Sequence, residues 1–227
     1  MERHFEKELS NLNQRIIGMG AKADEMIRLA VQALVQRNLG LASAIPDLEH
    51  QLNRTQLEID DAALRLLATQ QPMAMDLRFL VTAMKINSEL ERVGDQAVNI
   101  YENTQLLLQQ PPLKPLIDLP LMAQIAQHML RESLDAFTER DPIQAEAVIM
   151  EDDRVDALKD QVFREVLTYM MSDPSTISRG ITLILISRNL ERIGDQAVNI
   201  AEDVIYMVAG RDVRHPAKGR ETGDGVL

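Results

Sequence analysis

The sequence predicts an all-α protein of two tandem three-helix bundles, six long helices in total, produced by an internal duplication. The first observation is composition, because Leu, Ile, Val, Ala and Met supply most apolar residues, beside three Tyr, four Phe and no Trp. Such residues, with few glycines and prolines, are typical of helical proteins. The second observation is a repeat, since residues 90–100 recur at 190–200 with one change, from Val93 to Ile193. A match of that length indicates a tandem duplication.

Turn-forming residues divide the chain into six segments that are long enough for helices. In order, the predicted helices cover residues 2–38, 41–69, 75–109, 119–140, 142–172 and 176–209. A proline-dense stretch at 111–115 is interpreted as the linker between the halves. The predicted organisation is therefore a first repeat at 1–110, a linker at 111–118, a second repeat at 119–210 and a polar tail at 211–227.

Particular residues set the expected helix ends. Asn38 and Asp141 occupy matching positions 103 residues apart, and each is a residue type that caps a helix N-terminus. Pro142 then falls at the first helical position, where its missing N–H costs nothing. Pro46 has no counterpart, so we expect it to kink or delay the start of the second helix. Gly210 is expected to end the last helix, and the short connections make neighbouring helices antiparallel.

Charge and cysteine content narrow the classes of function. The net charge of −11 argues against nucleic acid as a partner and favours cations or basic protein surfaces. Cysteine is absent, which excludes disulfides and thiolate ligands. The N-terminus is charged, and the longest aliphatic stretch, at 181–186, is far too short to span a bilayer. These features predict a cytoplasmic protein without membrane insertion.

Acidic residues four positions apart mark the candidate site. Such residues share one helix face, and the chain carries three of these pairs: Glu91/Asp95, Glu191/Asp195 and Asp152/Asp156. The position in the first half that matches Asp152/Asp156 holds Glu49 and Asn53. In an antiparallel hairpin, residues equidistant from the turn lie at the same height, so the pairs of each half should face each other.

Clustered carboxylates repel one another, so their pKa values should rise unless a cation neutralises them. Oxygen ligands without cysteine suit Mg²⁺, Ca²⁺, Mn²⁺ or iron. Gly94 and Gly194 precede the second acid of each repeated pair, where a missing side chain allows close helix approach or access for an ion. His50 lies beside Glu49 and is either an additional ligand or an ordinary exposed helix residue.

Two other interpretations of the acids were considered. Acids at this spacing beside Arg92, Arg154 and Arg192 are also typical of a solvated, salt-bridged helix face. A ferritin-like di-metal oxidase would require Glu-x-x-His motifs, and none of the four histidines has Glu three residues before it. The first interpretation stays open, whereas the second is not supported by the sequence.

The doubled motif Glu-Arg-(Val/Ile)-Gly-Asp, each time followed by Asn-Ile and Glu, resembles the PhoU family of accessory regulators of bacterial phosphate uptake. Residues 72–78, 167–171 and 210–215 support the resemblance, which covers nearly the whole chain. The resemblance implies a cytoplasmic, usually homodimeric, all-α protein that is not an enzyme. It also implies two partners, the ATPase subunit of a phosphate ABC transporter and the sensor histidine kinase of the phosphate-starvation response, which the protein restrains.

The same resemblance implies multinuclear iron or zinc clusters bound through (Glu/Asp)-x-x-x-Asp motifs, with Mn, Mg or Ca as further candidates. Carried over to this sequence, the metal ligands are Glu49, Glu91, Asp95, Asp152, Asp156, Glu191 and Asp195. Asn53 departs from the motif, so we predict that metal fills the second half preferentially. The alternative is a metal-independent helical scaffold whose acidic patches dock basic protein partners.

Overall fold

A computed structural model describes residues 2–213, with side chains from residue 5 onward. It contains six α-helices: α1 Glu2–Gln36, α2 Ile45–Gln70, α3 Ala74–Leu108, α4 Asp118–Glu139, α5 Pro142–Ser172 and α6 Ile177–Ala209. Two short 3-10 helices, Leu39–Ala42 and Pro174–Thr176, lie in the connections, and the described residues include no strand. The predicted all-α class is confirmed. Most of the predicted polar tail, from residue 214 on, lies outside the described residues.

Helix α2 begins later than the sequence pattern predicts. The Asn38 side chain accepts a hydrogen bond from the Gly40 N–H at 3.0 Å and therefore caps the first 3-10 helix. The residue at the N-cap position of α2 is Ala44, which provides no side-chain cap, and Pro46 lies in the first turn. The prediction that Asn38 caps the second helix was wrong, because a separate 3-10 helix intervenes. The predicted delay at Pro46 is confirmed.

The start of α5 and the end of α6 follow their sequence signals. Asp141 Oδ1 accepts from the backbone N–H groups of Ile143 and Gln144 at 2.8 and 3.2 Å, and Pro142 occupies the first turn. Gly210 has a φ of 66°, in the left-handed region, and its N–H donates to the Tyr206 carbonyl. A left-handed glycine ends a helix without the cost that a side chain would impose.

The two halves meet along α3 and α6. Lys85 Nζ donates to Asp203 Oδ1 at 2.7 Å, and Asn199 Nδ2 donates to Glu89 Oε2 at 3.3 Å. Because later residues of α3 meet earlier residues of α6, the two helices run antiparallel. Helices α1 and α4 also touch, and Arg131 lies 3.1 Å from Asp24 across that contact. The buried aliphatic residues of both halves form one continuous core.

Helices α2 and α5 lie at the outer edges of this arrangement. Helix α2 packs on α1 and α3, whereas α5 packs on α4 and α6. One surface of the molecule therefore follows the order α2, α3, α6, α5. No helix of the described part of the chain combines the length and apolar character needed to cross a membrane.

Candidate metal centre

Side chains on α5 separate into two sets according to the helix that they face. Glu151 lies 3.6 Å from His128 of α4, and Gln161 donates to Asp118 of α4. Lys159 instead reaches Glu191 of α6 at 3.0 Å. The groove between α5 and α6 is therefore lined by the helix face that carries Asp152, Asp156 and Lys159.

The second half brings its four predicted acids together, in the register that the hairpin predicts. Burial and the negative charges of Asp195, Asp156 and Glu191 raise the pKa of Asp152 to about 6. Burial and the charges of Glu191 and Asp156 also raise the pKa of Asp195. The repulsion inferred from the sequence is thus present in the structure. We call these four residues the second-half acids.

Lys159 forms hydrogen bonds with two of the second-half acids, a role that was not predicted from the sequence. Its Nζ donates to Asp156 Oδ1 at 2.8 Å and to Glu191 Oε1 at 3.0 Å. The hydrogen bond to Asp156, followed by the one to Glu191, raises the pKa of Lys159, so the side chain is a cation at all physiological pH values. The signal was available, because Lys159 lies three residues after Asp156 and so shares its helix face.

The two repeated glycines allow close helix packing, but they accommodate different neighbours. A Cβ on Gly194 would lie 3.1 Å from Asp152 Oδ1, so its absence makes room for that carboxylate. A Cβ on Gly94 would lie 3.2 Å from a methyl carbon of Leu52, a buried residue of α2. Gly194 therefore leaves space for a carboxylate in the second half, whereas Gly94 leaves space for a core leucine in the first.

The first half presents a weaker acidic cluster. Burial, followed by the charge of Asp95, raises the pKa of Glu91, and the nearby Arg92 opposes the shift. Glu49 and Asn53 are partly buried on α2, and the amide oxygen of Asn53 is buried without a hydrogen-bond partner. We call Glu49, Asn53, Glu91 and Asp95 the first-half donors. His50 beside them is exposed.

Two of the three arginines near the acids form hydrogen bonds outside the candidate ligands. Arg92 donates to Glu89 at 3.0 Å, and Arg154 donates to Glu151 at 2.7 Å. Neither of these bonds involves a candidate ligand. The salt-bridged interpretation is instead supported in the second half, where Lys159 forms ion pairs with Asp156 and Glu191.

The donor chemistry of both clusters suits an oxygen-preferring cation, but the side chains do not form a ready coordination shell. Among residues that the structure describes, no three His, Cys, Asp or Glu side chains lie closely enough together to hold a metal ion. Metal binding would therefore require side-chain rearrangement, with the added displacement of Lys159 in the second half. Each half also holds a buried amide oxygen without a hydrogen-bond partner, that of Asn53 in the first and that of Gln196 in the second.

Comparison with known proteins identifies the family. A model of the PhoU domain matches residues 16–104 and again residues 119–204, which correspond to the two sets of three helices. The chain belongs to the PhoU family. It is 37% identical to a phosphate-specific transport system accessory protein PhoU homolog of Pseudomonas aeruginosa, over 95% of this chain and 89% of that one. A PhoU homolog of Aquifex aeolicus with the same description is 38% identical over 92% of this chain and 95% of its own.

Solved structures of PhoU proteins have the same fold. The crystal structure of PhoU from Pseudomonas aeruginosa superimposes with a TM-score of 0.88 at 36% identity, covering 91% of this chain and all of that one. The phosphate transport system regulatory protein PhoU from Streptococcus pneumoniae gives a TM-score of 0.84 at 30% identity, covering 92% of this chain and 99% of that one. The PhoU fold, with its tandem bundles, therefore extends over most of the chain.

Proposed function

We propose that this PhoU-family protein regulates phosphate uptake and phosphate homeostasis as a cytoplasmic, non-enzymatic adaptor. In this proposal a homodimer contacts the ATPase subunit of a phosphate ABC transporter and the sensor histidine kinase of the phosphate regulon. Contact with both restrains the starvation response when phosphate is plentiful. Two rigid helical bundles supply the contact surfaces, and no catalytic step is assigned to any residue.

The observation that carries the proposal is similarity along nearly the whole chain to accessory proteins of phosphate-specific transport systems. The match with the Pseudomonas putida homolog covers 99% of this chain and 88% of that relative, at 36% identity. The negative charge of −11 is suited to partners with basic docking surfaces.

Direct binding tests the proposal. The full-length protein is titrated against the purified transporter ATPase subunit and, separately, against the cytoplasmic part of the sensor kinase. We expect both complexes to form and to weaken as salt concentration rises, because charge complementarity contributes to docking. Absence of binding to both partners at low salt would overturn the adaptor role.

The second part of the proposal concerns metal. Glu49, Glu91 and Asp95 would hold a cation in the first half, and the second-half acids would hold one in the second. Iron or zinc is expected, with manganese, magnesium or calcium as further candidates. A bound cation would neutralise the repelling carboxylates and fix neighbouring helices relative to each other.

Lys159 also supports a metal-independent alternative. An ammonium group of this protein already lies between two second-half acids, so the same groove is suited to lysine side chains of a basic partner. Under this alternative, partner binding persists in excess chelator and is lost when Asp152 and Asp195 are changed to Asn. Loss of binding in chelator alone would instead favour the metal-dependent form.

A further inference from the structure

The groove between α5 and α6 has an apolar part next to the second-half acids. Phe163 of α5 and Ile184 of α6 line the same cavity as Glu191, one of those acids. On each helix, apolar residues three or four positions apart continue this surface towards the turn that joins α5 to α6. We call the following five residues the α5–α6 apolar patch: Phe163, Leu167, Ile181, Ile184 and Leu185.

The side chains of the α5–α6 apolar patch are unusually exposed for large apolar residues. Ile184 is half-buried, and the other four expose between 39% and 49% of their surface: Phe163, Leu167, Ile181 and Leu185. Single exposed apolar residues are normal in folded proteins, whereas several that lie beside one another mark an interaction surface. The patch is therefore suited to a binding partner that covers it.

The first half has charged residues at two of the matching positions. Asp60 of α2 matches Phe163, and its carboxylate accepts a hydrogen bond from a side chain of α3 at 2.9 Å. Lys85 of α3 matches Leu185 and donates to Asp203 at 2.7 Å. These charged side chains interrupt the apolar surface of the first half, although both halves have the same fold.

The second-half acids continue the groove away from the turn. Glu191 and Asp195 follow Ile184 on α6 by seven and eleven residues, which is about 10 and 16 Å along the helix axis. An ammonium group fits between the two helices at this point, because Lys159 Nζ bonds to Asp156 and Glu191. The four acids outnumber this lysine, so the acidic part of the groove favours further cations.

A helix with one apolar end and one basic end matches both parts of the groove. An amphipathic helix commonly binds in a groove between helices. Its apolar side chains would cover the α5–α6 apolar patch, and Lys or Arg seven to eleven positions away, on the same helix face, would reach the acids. A second copy of this chain would instead bring the same carboxylates, and a bilayer would bring lipid phosphates, so both would be repelled.

We propose that the α5–α6 apolar patch and the second-half acids form one docking groove for an amphipathic helix of a partner protein, apolar at one end and basic at the other. This inference rests on the adaptor role of the proposed function. It extends the metal-independent alternative from single lysine side chains to a whole partner segment, and it assigns the docking to the second half.

A synthetic helical peptide of about 18 residues, or five turns, tests the groove. It carries three leucines on one face and two lysines two to three turns further along that face, and a second peptide has glutamate in place of both lysines. Fluorescently labelled peptides are titrated with the full-length protein and two variants. Phe163→Ser with Ile181→Ser disrupts the patch, and Leu57→Ser with Leu64→Ser is the matched control, because both leucines are exposed on α2.

The lysine peptide should bind equally to the unaltered protein and to the Leu57/Leu64 variant. The Phe163/Ile181 variant should bind it at least about tenfold more weakly, because apolar contact area is lost. The glutamate peptide should bind the unaltered protein about tenfold more weakly than the lysine peptide, and added salt should reduce that difference. Binding of the transporter ATPase subunit or of the sensor kinase should weaken by a similar factor in the Phe163/Ile181 variant. Helical content and melting temperature show that each variant is folded.

Several results would overturn the inference: no saturable binding of the lysine peptide, equal binding of the two peptides at low salt, or equal weakening in both variants. Normal binding of both partner proteins by the Phe163/Ile181 variant would also overturn it, and the adaptor role would then use another surface. If the unaltered protein binds neither partner, the adaptor role and the inference fail together.

Two further results would assign the patch to another occupant and overturn the inference. Sedimentation of the Phe163/Ile181 variant as a monomer, beside a dimer of the unaltered protein, would show that a second copy covers the patch. Binding of the unaltered protein to phosphatidylglycerol vesicles that is lost in this variant would show that a lipid surface covers it.

Discussion

The raised pKa of Asp152 shows that placing several acids on one surface destabilises their ionised forms. The pKa of Asp152 is raised to about 6, first by burial and then by the charges of Asp195, Asp156 and Glu191. A carboxyl whose pKa is higher in the folded state than in the unfolded state destabilises the fold whenever it is ionised in both. That cost is present in full above the folded-state pKa and disappears as pH falls towards the unfolded value.

Replacing Asp152 with Asn should therefore stabilise the metal-free protein at neutral pH. After allowance for solvent screening we expect a gain of about 1 kcal/mol in the free energy of unfolding at pH 7. The gain should shrink as pH falls from about 6 towards 4, because the native carboxyl then becomes neutral by itself. Urea denaturation at several pH values, in the presence of chelator, measures this difference in the free energy of unfolding between the variant and the unaltered protein.

Asp61→Asn is the matched control for this prediction, because Asp61 is an exposed acid on α2 outside both clusters. Its replacement should change stability little at any pH. A gain for Asp152→Asn that is equally large at pH 4 and pH 7 would contradict the electrostatic explanation and would indicate a packing effect instead.

The repeated glycines make a second prediction at this scale. Ala in place of Gly inside a helix is favoured by about 1 kcal/mol when nothing obstructs the new methyl group. In Gly194→Ala the methyl meets the Asp152 carboxylate, which is only half-buried and has room to turn towards solvent. In Gly94→Ala it meets Leu52, which is 1% exposed and confined by the core.

We therefore expect Gly194→Ala to be the more stable of the two variants, by about 1 kcal/mol. Chemical denaturation of both proteins under identical conditions is the measurement. If Gly94→Ala were the more stable variant, Leu52 would not be the tight neighbour that the structure indicates.

At the scale of helices, the sequence predicts a helix end correctly where a single capping or terminating residue determines it. Asp141, Pro142 and Gly210 each have the predicted role. The start of α2 was missed, because Asn38 caps a 3-10 helix and the sequence pattern does not distinguish that short helix from the first turn of α2. Register was predictable within each hairpin, since a short turn fixes which residues lie at equal height.

The two matched cap residues give a prediction about these elements. Asp141 accepts two backbone N–H groups at the start of a 31-residue helix, whereas Asn38 accepts one at the start of a four-residue 3-10 helix. Asp141→Ala should cost about 1 kcal/mol of stability, and Asn38→Ala should cost less. Thermal denaturation of both variants measures these losses of stability. A larger loss for Asn38→Ala would show that the cap of the 3-10 helix contributes more to stability than the cap of α5.

For the molecule as a whole, the duplication and the fold class were predictable, but the way that the halves meet was not. The antiparallel contact of α3 with α6 depends on pairs such as Lys85 with Asp203, which are 118 residues apart. No short spacing in the sequence marks such a pair. The contact of Lys159 with the acids differs from such a pair, because Lys159 lies three residues after Asp156 and the sequence alone places both on one helix face.

The pseudo-symmetry of the whole molecule has a functional consequence. The repeat places an acidic groove in each half, yet Asn53 and Gln56 in one and Asp156 and Lys159 in the other make the grooves chemically distinct. The proposed contacts with two different partners would use two related but unequal surfaces, since charge pattern selects among partners.

The measurement that tests the central claim most directly is phosphate-regulated gene expression in the source organism. A reporter for the phosphate-starvation response is compared, in phosphate-rich medium, between cells with the protein, cells without it, and cells in which it is restored. The account predicts a strongly induced reporter in its absence and return to the repressed level on restoration. A reporter that stays repressed without the protein would contradict its proposed role as the regulator of phosphate uptake.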